Sequence, residues 1–365
     1  MDFTPTEEQT AARELAARIF GDLSTPDRLA AAGTGTDAEL WKALCAAGLV
    51  AAVEDIGLLG LVLLLEEQGR TTAQVPFAAT CAYGLLPLVA HGTDEQRERL
   101  LPGLRDGAVV ATGAVTEPAA VRARSGPSVG AAGRAEGRLT GTVGWVPWLR
   151  DATHVLVADE DRLLWWVRVA DAETEPVHTT APWSAARLVL DGTPAERVGA
   201  PSAQLEDTPP AGDTRPYEHV LTESRIAFAG LQAGVCAGSL ARAVEHTTTR
   251  EQFGRPLSTN QGVLIRAADA HMDTEAIRVT AYEAAWRYDE GLPCATHALT
   301  AAWWASEAGK RVVHAGQHLH GGIGADVDHP VHRHFLWGRQ LDAYQGCGSE
   351  VLAELGAMLA KEGVQ

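Results

Sequence analysis

Arg250-Glu-Gln-Phe-Gly-Arg-Pro256 closes a long stretch of small and apolar residues and is the sharpest local signal in the chain. Its arginine is able to grip a phosphate through two parallel hydrogen bonds, and its phenylalanine can lie against a planar ring. Read alone, the segment is equally a capped helix end with a surface arginine and a core phenylalanine. The stretch before it, from about residue 220, carries Ala227, Ala229, Gly230, Ala233, Gly234, Ala237 and Gly238 along one predicted helix. Small side chains let helices approach closely, which predicts that this helix helps to make an oligomer interface. Further helices are predicted over 261–289 and 295–318. The second of these runs into His318-Leu-His-Gly-Gly-Ile-Gly324. Paired glycines there let backbone N–H groups come close to a ligand, although a Gly-rich turn is also how a plain helix ends.

Towards the N-terminus the pattern changes. Residues 109–115, 137–146, 154–158, 163–169 and 186–190 are short, rich in β-branched or aromatic residues and separated by Gly, Asp or Pro, which predicts strands. Residues 201–216, with Thr-Pro-Pro-Ala-Gly-Asp inside them, read as an exit linker. The first hundred residues read as helices. Thr6 with Gln9, and Thr93 with Gln96, form capping-box patterns. Leu clusters mark 38–47 and 58–68, Pro76 interrupts, and a further apolar stretch covers 85–89. The expected organisation is a helical domain over 1–105, a β domain over 106–205 and a helical bundle over 218–365. This is an α+β chain without βαβ alternation.

At 365 residues, 46% of them hydrophobic, the chain has enough apolar material for more than one core. A formal charge of −17 argues against a nucleic-acid partner, while leaving room for a local site that takes an anionic ligand. Cys45, Cys81, Cys236, Cys294 and Cys347 form no CxxC pair, an odd count that reads as free thiols in a reducing compartment. The first twenty residues are acidic and amphipathic, unlike a cationic targeting peptide. The apolar run 57–65 is far shorter than a bilayer span. A soluble, cytoplasmic protein without a membrane anchor is expected.

Two further segments complete the pattern: Ala114-Val-Thr-Glu-Pro118 at the end of the first predicted strand, and Trp145, expected on the next. In this order, spacing and helical–β–helical context, the four segments resemble the acyl-CoA dehydrogenase family across nearly the whole chain. The resemblance implies FAD as cofactor, with Thr116 and Trp145 beside the flavin ring. It implies that Arg250, Phe253, Gln261, His318, Gly321 and Gly322 reach the FAD of a neighbouring subunit, with Arg250 on the pyrophosphate. It further implies an acyl-CoA or acyl-carrier substrate, an electron-transfer flavoprotein or similar acceptor, and a homo- or hetero-oligomer built as a dimer of dimers.

The chain departs from the family at informative places. The family's T-E-P-G-A-G-S-D reads here Thr116-Glu-Pro-Ala-Ala-Val-Arg-Ala-Arg124, and its W-x-T has become Trp145-Val146-Pro147. Proline has neither hydroxyl nor N–H to offer the flavin. His318 stands where the family usually has Gln. The family's base, a glutamate near the C-terminus, is replaced by Gln345, and the alternative base position on the long helix is Ser224. A neutral amide or hydroxyl cannot hold the α-proton. Glu223 is the remaining candidate base, but one residue along a helix turns a side chain by about 100°, and an acidic residue in a helix first turn needs no catalytic role. Glu350 reads as the start of the last helix.

Contacts to a neighbour's FAD are thus kept while those to the chain's own flavin and substrate are eroded. The run 322–335 resembles bacterial steroid side-chain acyl-CoA dehydrogenases, some of which are α2β2 assemblies with one subunit lacking the base. His329, His332 and His334 in this run read as partner-facing or helix-entry residues rather than metal ligands. The leading expectation is FAD-dependent α,β-desaturation of an acyl thioester, with this chain as the base-poor subunit. The alternatives are a repurposed flavoenzyme acting on a carrier-tethered acyl group in biosynthesis, and a non-catalytic structural partner.

Overall fold

The computed structural model describes residues 2–129, 135–199 and 216–362. The chain opens with α1 (Glu7–Leu23), α2 (Pro26–Ala32), α3 (Ala38–Ala46), α4 (Leu49–Thr71) and α5 (Phe77–Thr80). A π-helical turn over Cys81–Leu85 follows, then α6 (Leu86–His91) and α7 (Asp94–Asp106). Both capping boxes form, with Thr6 and Thr93 each accepting from the backbone N–H of the paired glutamine. The backbone of α4 breaks at Gly57, where φ is 71°. The helix restarts under the carboxylate of Asp289, which accepts from Leu58 N at 2.8 Å and Leu59 N at 2.9 Å. A side chain at Gly57 would strike that carboxylate.

The middle of the chain is a sheet of β1 (Ala111–Ala114), β2 (Val121–Val129), β3 (Ala135–Val146), β4 (His154–Ala158), β5 (Leu164–Arg168), β6 (Glu173–Pro176) and β7 (Ala186–Arg197). The strand order is β1-β4-β5-β7-β3-β2, with β6 also on β7. Only β1 and β4 run parallel among these pairs. Period-two alternation splits the strands between two cores: Leu156, Ala158, Leu164 and Trp166 face the helices, while Val155, Val157, Trp165 and Val167 face the sheet's own interior. The sequence reading left β2 and β6 unassigned. Gly126-Pro127 breaks the alternation of β2, and β6 has no apolar residue besides its proline. Trp145 therefore lies on β3, not on the strand that directly follows β1.

The remainder is α8 (Pro216–Thr249), a short hairpin of β8 (Glu251–Gln252) and β9 (Arg255–Pro256), then α9 (Gln261–Asp289), α10 (Ala295–His320), α11 (Pro330–Tyr344) and α12 (Gly348–Glu362). The linker read over 201–216 lies, but for Pro216, outside the described residues. α8 begins ahead of residue 220, and α10 runs two residues past 318.

The small residues of α8 do something other than expected. A Cβ on Gly234 would stand 2.0 Å from the backbone oxygen of Glu66, and one on Gly238 would stand 2.3 Å from that of Arg70. From the other side, a Cβ on Gly69 would reach 2.2 Å from Leu231 O. These glycines therefore seat α8 against α4 of the same chain, and the stripe is not an oligomer surface. Spacing reveals a close helix approach but not the partner. α9 is held to α4 in a different way: Glu66, fully buried, takes hydrogen bonds from Arg278 Nε at 2.7 Å and Tyr282 Oη at 2.6 Å.

Candidate active site

β1 runs into Thr116, which is exposed. The Thr112 hydroxyl donates to Pro147 O at 2.5 Å, tying β1 to the end of β3. That bond brings the two ring-side segments side by side. Pro147 contributes a carbonyl to the fold and no hydroxyl to a ligand. Trp145 is half-buried and packs on Tyr344, ring centroids 5.5 Å apart. Tyr344 in turn packs on Phe228 at 4.7 Å and Trp183 at 6.1 Å.

The two positions where the family carries its base converge, although they are 121 residues apart: Ser224 Oγ lies 3.5 Å from Gln345 Oε1. Gln345 Nε2 donates to Tyr83 Oη at 2.8 Å, and Tyr344 Oη donates to the same oxygen at 3.0 Å. All four side chains are buried. Burial holds both phenols above their ordinary range, so they stay protonated. No member of this network takes up a proton near neutral pH.

Glu223 faces another way. It lies two turns into α8, not in the first turn, and is buried. Tyr288 Oη of α9 donates to its Oε1, while Oε2 has no hydrogen-bond partner. Tyr288 Oη also meets His219 Nε2 at 2.8 Å, and His219 Nδ1 meets His91 Nε2 at 2.8 Å. Burial pushes the Glu223 carboxyl up to about 7. A carboxyl that binds its proton more tightly when folded lends stability that is fully present below about 4.5 and is lost as pH rises to about 7. The expected loss is on the order of 3 kcal/mol. Denaturant midpoints measured from pH 5 to 8 should fall for the wild type and fall much less for Glu223→Gln. Parallel slopes in the two proteins would assign the pH dependence to another group.

The remaining sequence-selected residues form an exposed rim. Arg250 follows the end of α8 and, among the described residues, its guanidinium makes no ion pair or hydrogen bond. Phe253 sits at the hairpin turn with φ of 52° and is fully exposed, so it is not a core residue. Gln261 opens α9 and is exposed, as are His318, Gly321 and Gly322. A Cβ on either glycine would meet nothing within 4 Å, and Gly321 ends α10 with φ of 66°. The sequence reading missed what joins these two segments. His246, one turn before Arg250, stacks on His320, the residue before Gly321, at 4.7 Å. An unpaired guanidinium, an outward phenyl ring and open backbone at two glycines fit an anionic, planar group brought in from outside this chain. Of the three later histidines, His329 caps α11 by accepting from Val331 N, and His334 is buried between Pro330 O and Arg70 O.

Residues 6–108 match the acyl-CoA dehydrogenase N-terminal domain and 216–359 the acyl-CoA dehydrogenase C-terminal domain. The acyl-CoA dehydrogenase FadE27 of Mycobacterium tuberculosis is 31% identical over 386 aligned residues, covering 99% of each chain. Among solved structures, a variant of the Tcur3481–Tcur3483 steroid ACAD superposes with a TM-score of 0.87 at 38% identity, covering 98% of each chain. The ChsE4–ChsE5 complex from Mycobacterium tuberculosis gives 0.89 at 30% identity, covering all of both chains.

Proposed function

The chain belongs to the acyl-CoA dehydrogenase family, a family of oxidoreductases, and on that premise we propose that it is the base-poor subunit of a heteromeric, cytoplasmic, FAD-dependent acyl-CoA dehydrogenase. The observation that carries this reading is the contrast between its two surfaces. Ser224 and Gln345, at both base positions, are neutral and locked into a buried network with Tyr83. Arg250, Phe253, Gln261, His318, Gly321 and Gly322 are all presented outward.

In this reading the outward rim holds the FAD of the partner subunit, with Arg250 on the pyrophosphate and Phe253 and Gln261 beside it. Thr116 and Trp145 face the chain's own ring-side surface. When bound, FAD supplies the two-electron acceptor that no side chain can provide. The α-proton is taken by a carboxylate of the partner, since Gln345 is a neutral amide and Glu223 is turned to α9. The partner covers the outer side of α9, where Leu264, Ile265, Met272 and Val279 are exposed. A steroid-like acyl-CoA is the substrate class, by likeness to the steroid ACAD assembly, and an electron-transfer flavoprotein is the acceptor.

Arg250→Ala tests the rim. One charge-assisted contact is worth roughly 1.5–3 kcal/mol, so FAD should bind the co-purified assembly about 10- to 150-fold more weakly, with the fold intact by circular dichroism. Unchanged flavin content after dialysis would remove Arg250 from the cofactor site.

A further inference from the structure

Tyr83 belongs to no motif, yet it meets β1, α8, the end of α11 and Gln345 at once. Its ring is fully buried and lies on Gly113 of β1, where a Cβ would come within 2.4–2.8 Å of ring carbons. Gly113 is three residues ahead of Thr116, so the ring fills the space beneath the ring-side strand. Its hydroxyl takes the hydrogen bonds of Gln345 and Tyr344 described above. Its other flank meets Phe228 at 6.0 Å. The residue is carried on the π-helical turn, a conformation that is uncommon and concentrated at functional positions.

We propose that Tyr83 plugs this subunit's own acyl pocket, occupying the volume that an acyl chain must enter to bring its α-carbon between position 345 and the ring-side strand. The inference rests on the base-poor reading and adds to it. The chain lacks a base, and its pocket also refuses the acyl group. Withdrawing the ring would break two buried hydrogen bonds and leave the Gln345 amide N–H unpaired, a cost that an alkyl chain has no polar group to offset.

The test uses the full-length chain with its flavin, titrated calorimetrically with octanoyl-CoA and, as reference, with CoA alone. Wild type and Tyr83→Phe, which keeps the ring, should bind octanoyl-CoA no more tightly than CoA. Tyr83→Ala should bind it at least tenfold more tightly than CoA. If that variant loses its fold by near-ultraviolet circular dichroism, Tyr83→Val takes its place with the same criterion. The plug is overturned by a tenfold preference for octanoyl-CoA in the wild type, or by no preference in a folded Ala or Val variant. Binding by the wild type without flavin bleaching would sink the plug and leave the base-poor reading standing. Bleaching by the wild type would sink the base-poor reading as well.

Discussion

Purified without a partner and mixed anaerobically with straight-chain or steroid-like acyl-CoAs, this chain will bleach flavin at least about 10²-fold more slowly than a base-bearing member of its family. Loss of general-base catalysis typically forfeits 10²–10⁴-fold in rate. The two places where a base would stand hold a hydroxyl and an amide, and these already satisfy each other and Tyr83. Gln345→Glu alone should recover little. Its carboxylate would accept from Tyr83 and Ser224 in a buried site, and the ring of Tyr83 would still fill the approach. Adding a partner that carries a glutamate should restore turnover at the sites where that partner contributes the substrate half. Rapid bleaching by the lone, unmodified chain would defeat this account. If Glu223→Gln then abolished that bleaching, the proton would have been leaving through Tyr288 and α9.

The largest effect on stability is expected at Gly234. A methyl group there would sit 2.0 Å from the backbone oxygen of Glu66, and backbone cannot step aside as a side-chain tip can. α4 and α8 would have to separate along an interface that Gly230, Gly238 and Gly69 also hold close. Overpacking a tight core costs typically 1–3 kcal/mol and sometimes more, and Gly234→Ala belongs at or above the top of that range. Gly21→Ala is the control. Its Cβ would meet nothing within 4 Å near the exposed end of α1, and helix propensity should make it neutral or stabilising by up to about 1 kcal/mol. Chemical denaturation of both variants would decide the matter. Equal midpoints would mean that the helices are less tightly apposed than the distances imply.

How much of this was legible in the residues depended on the range of each signal. Both capping boxes formed as read, because Thr6–Gln9 and Thr93–Gln96 are complete within four residues. α9 begins at Gln261 and ends at Asp289 where the pattern placed it. That Glu223 faces away from Ser224's neighbours also followed from the turn of about 100° between adjacent helical residues. What stayed hidden was pairwise and distant. The α8 glycines announce a close neighbour but could not say that it is α4 rather than another subunit. Tyr83 looked like one aromatic in an apolar stretch, and only the convergence of β1, α8 and the segment after α11 gives it a role. His246 and His320 sit in separate helices, and no local pattern would have paired them.

The restart of α4 at Gly57 has a consequence in time. The first N–H groups of its second half are satisfied by Asp289, 231 residues later in the chain. At a synthesis rate of roughly 5–20 residues per second, Asp289 follows Leu58 by about 10–50 s. Until α8 is complete at Thr249 an intensely apolar helix has neither its cap nor α8 to cover it, and the cap itself follows only 40 residues later. The N-terminal helices are made first but are finished last.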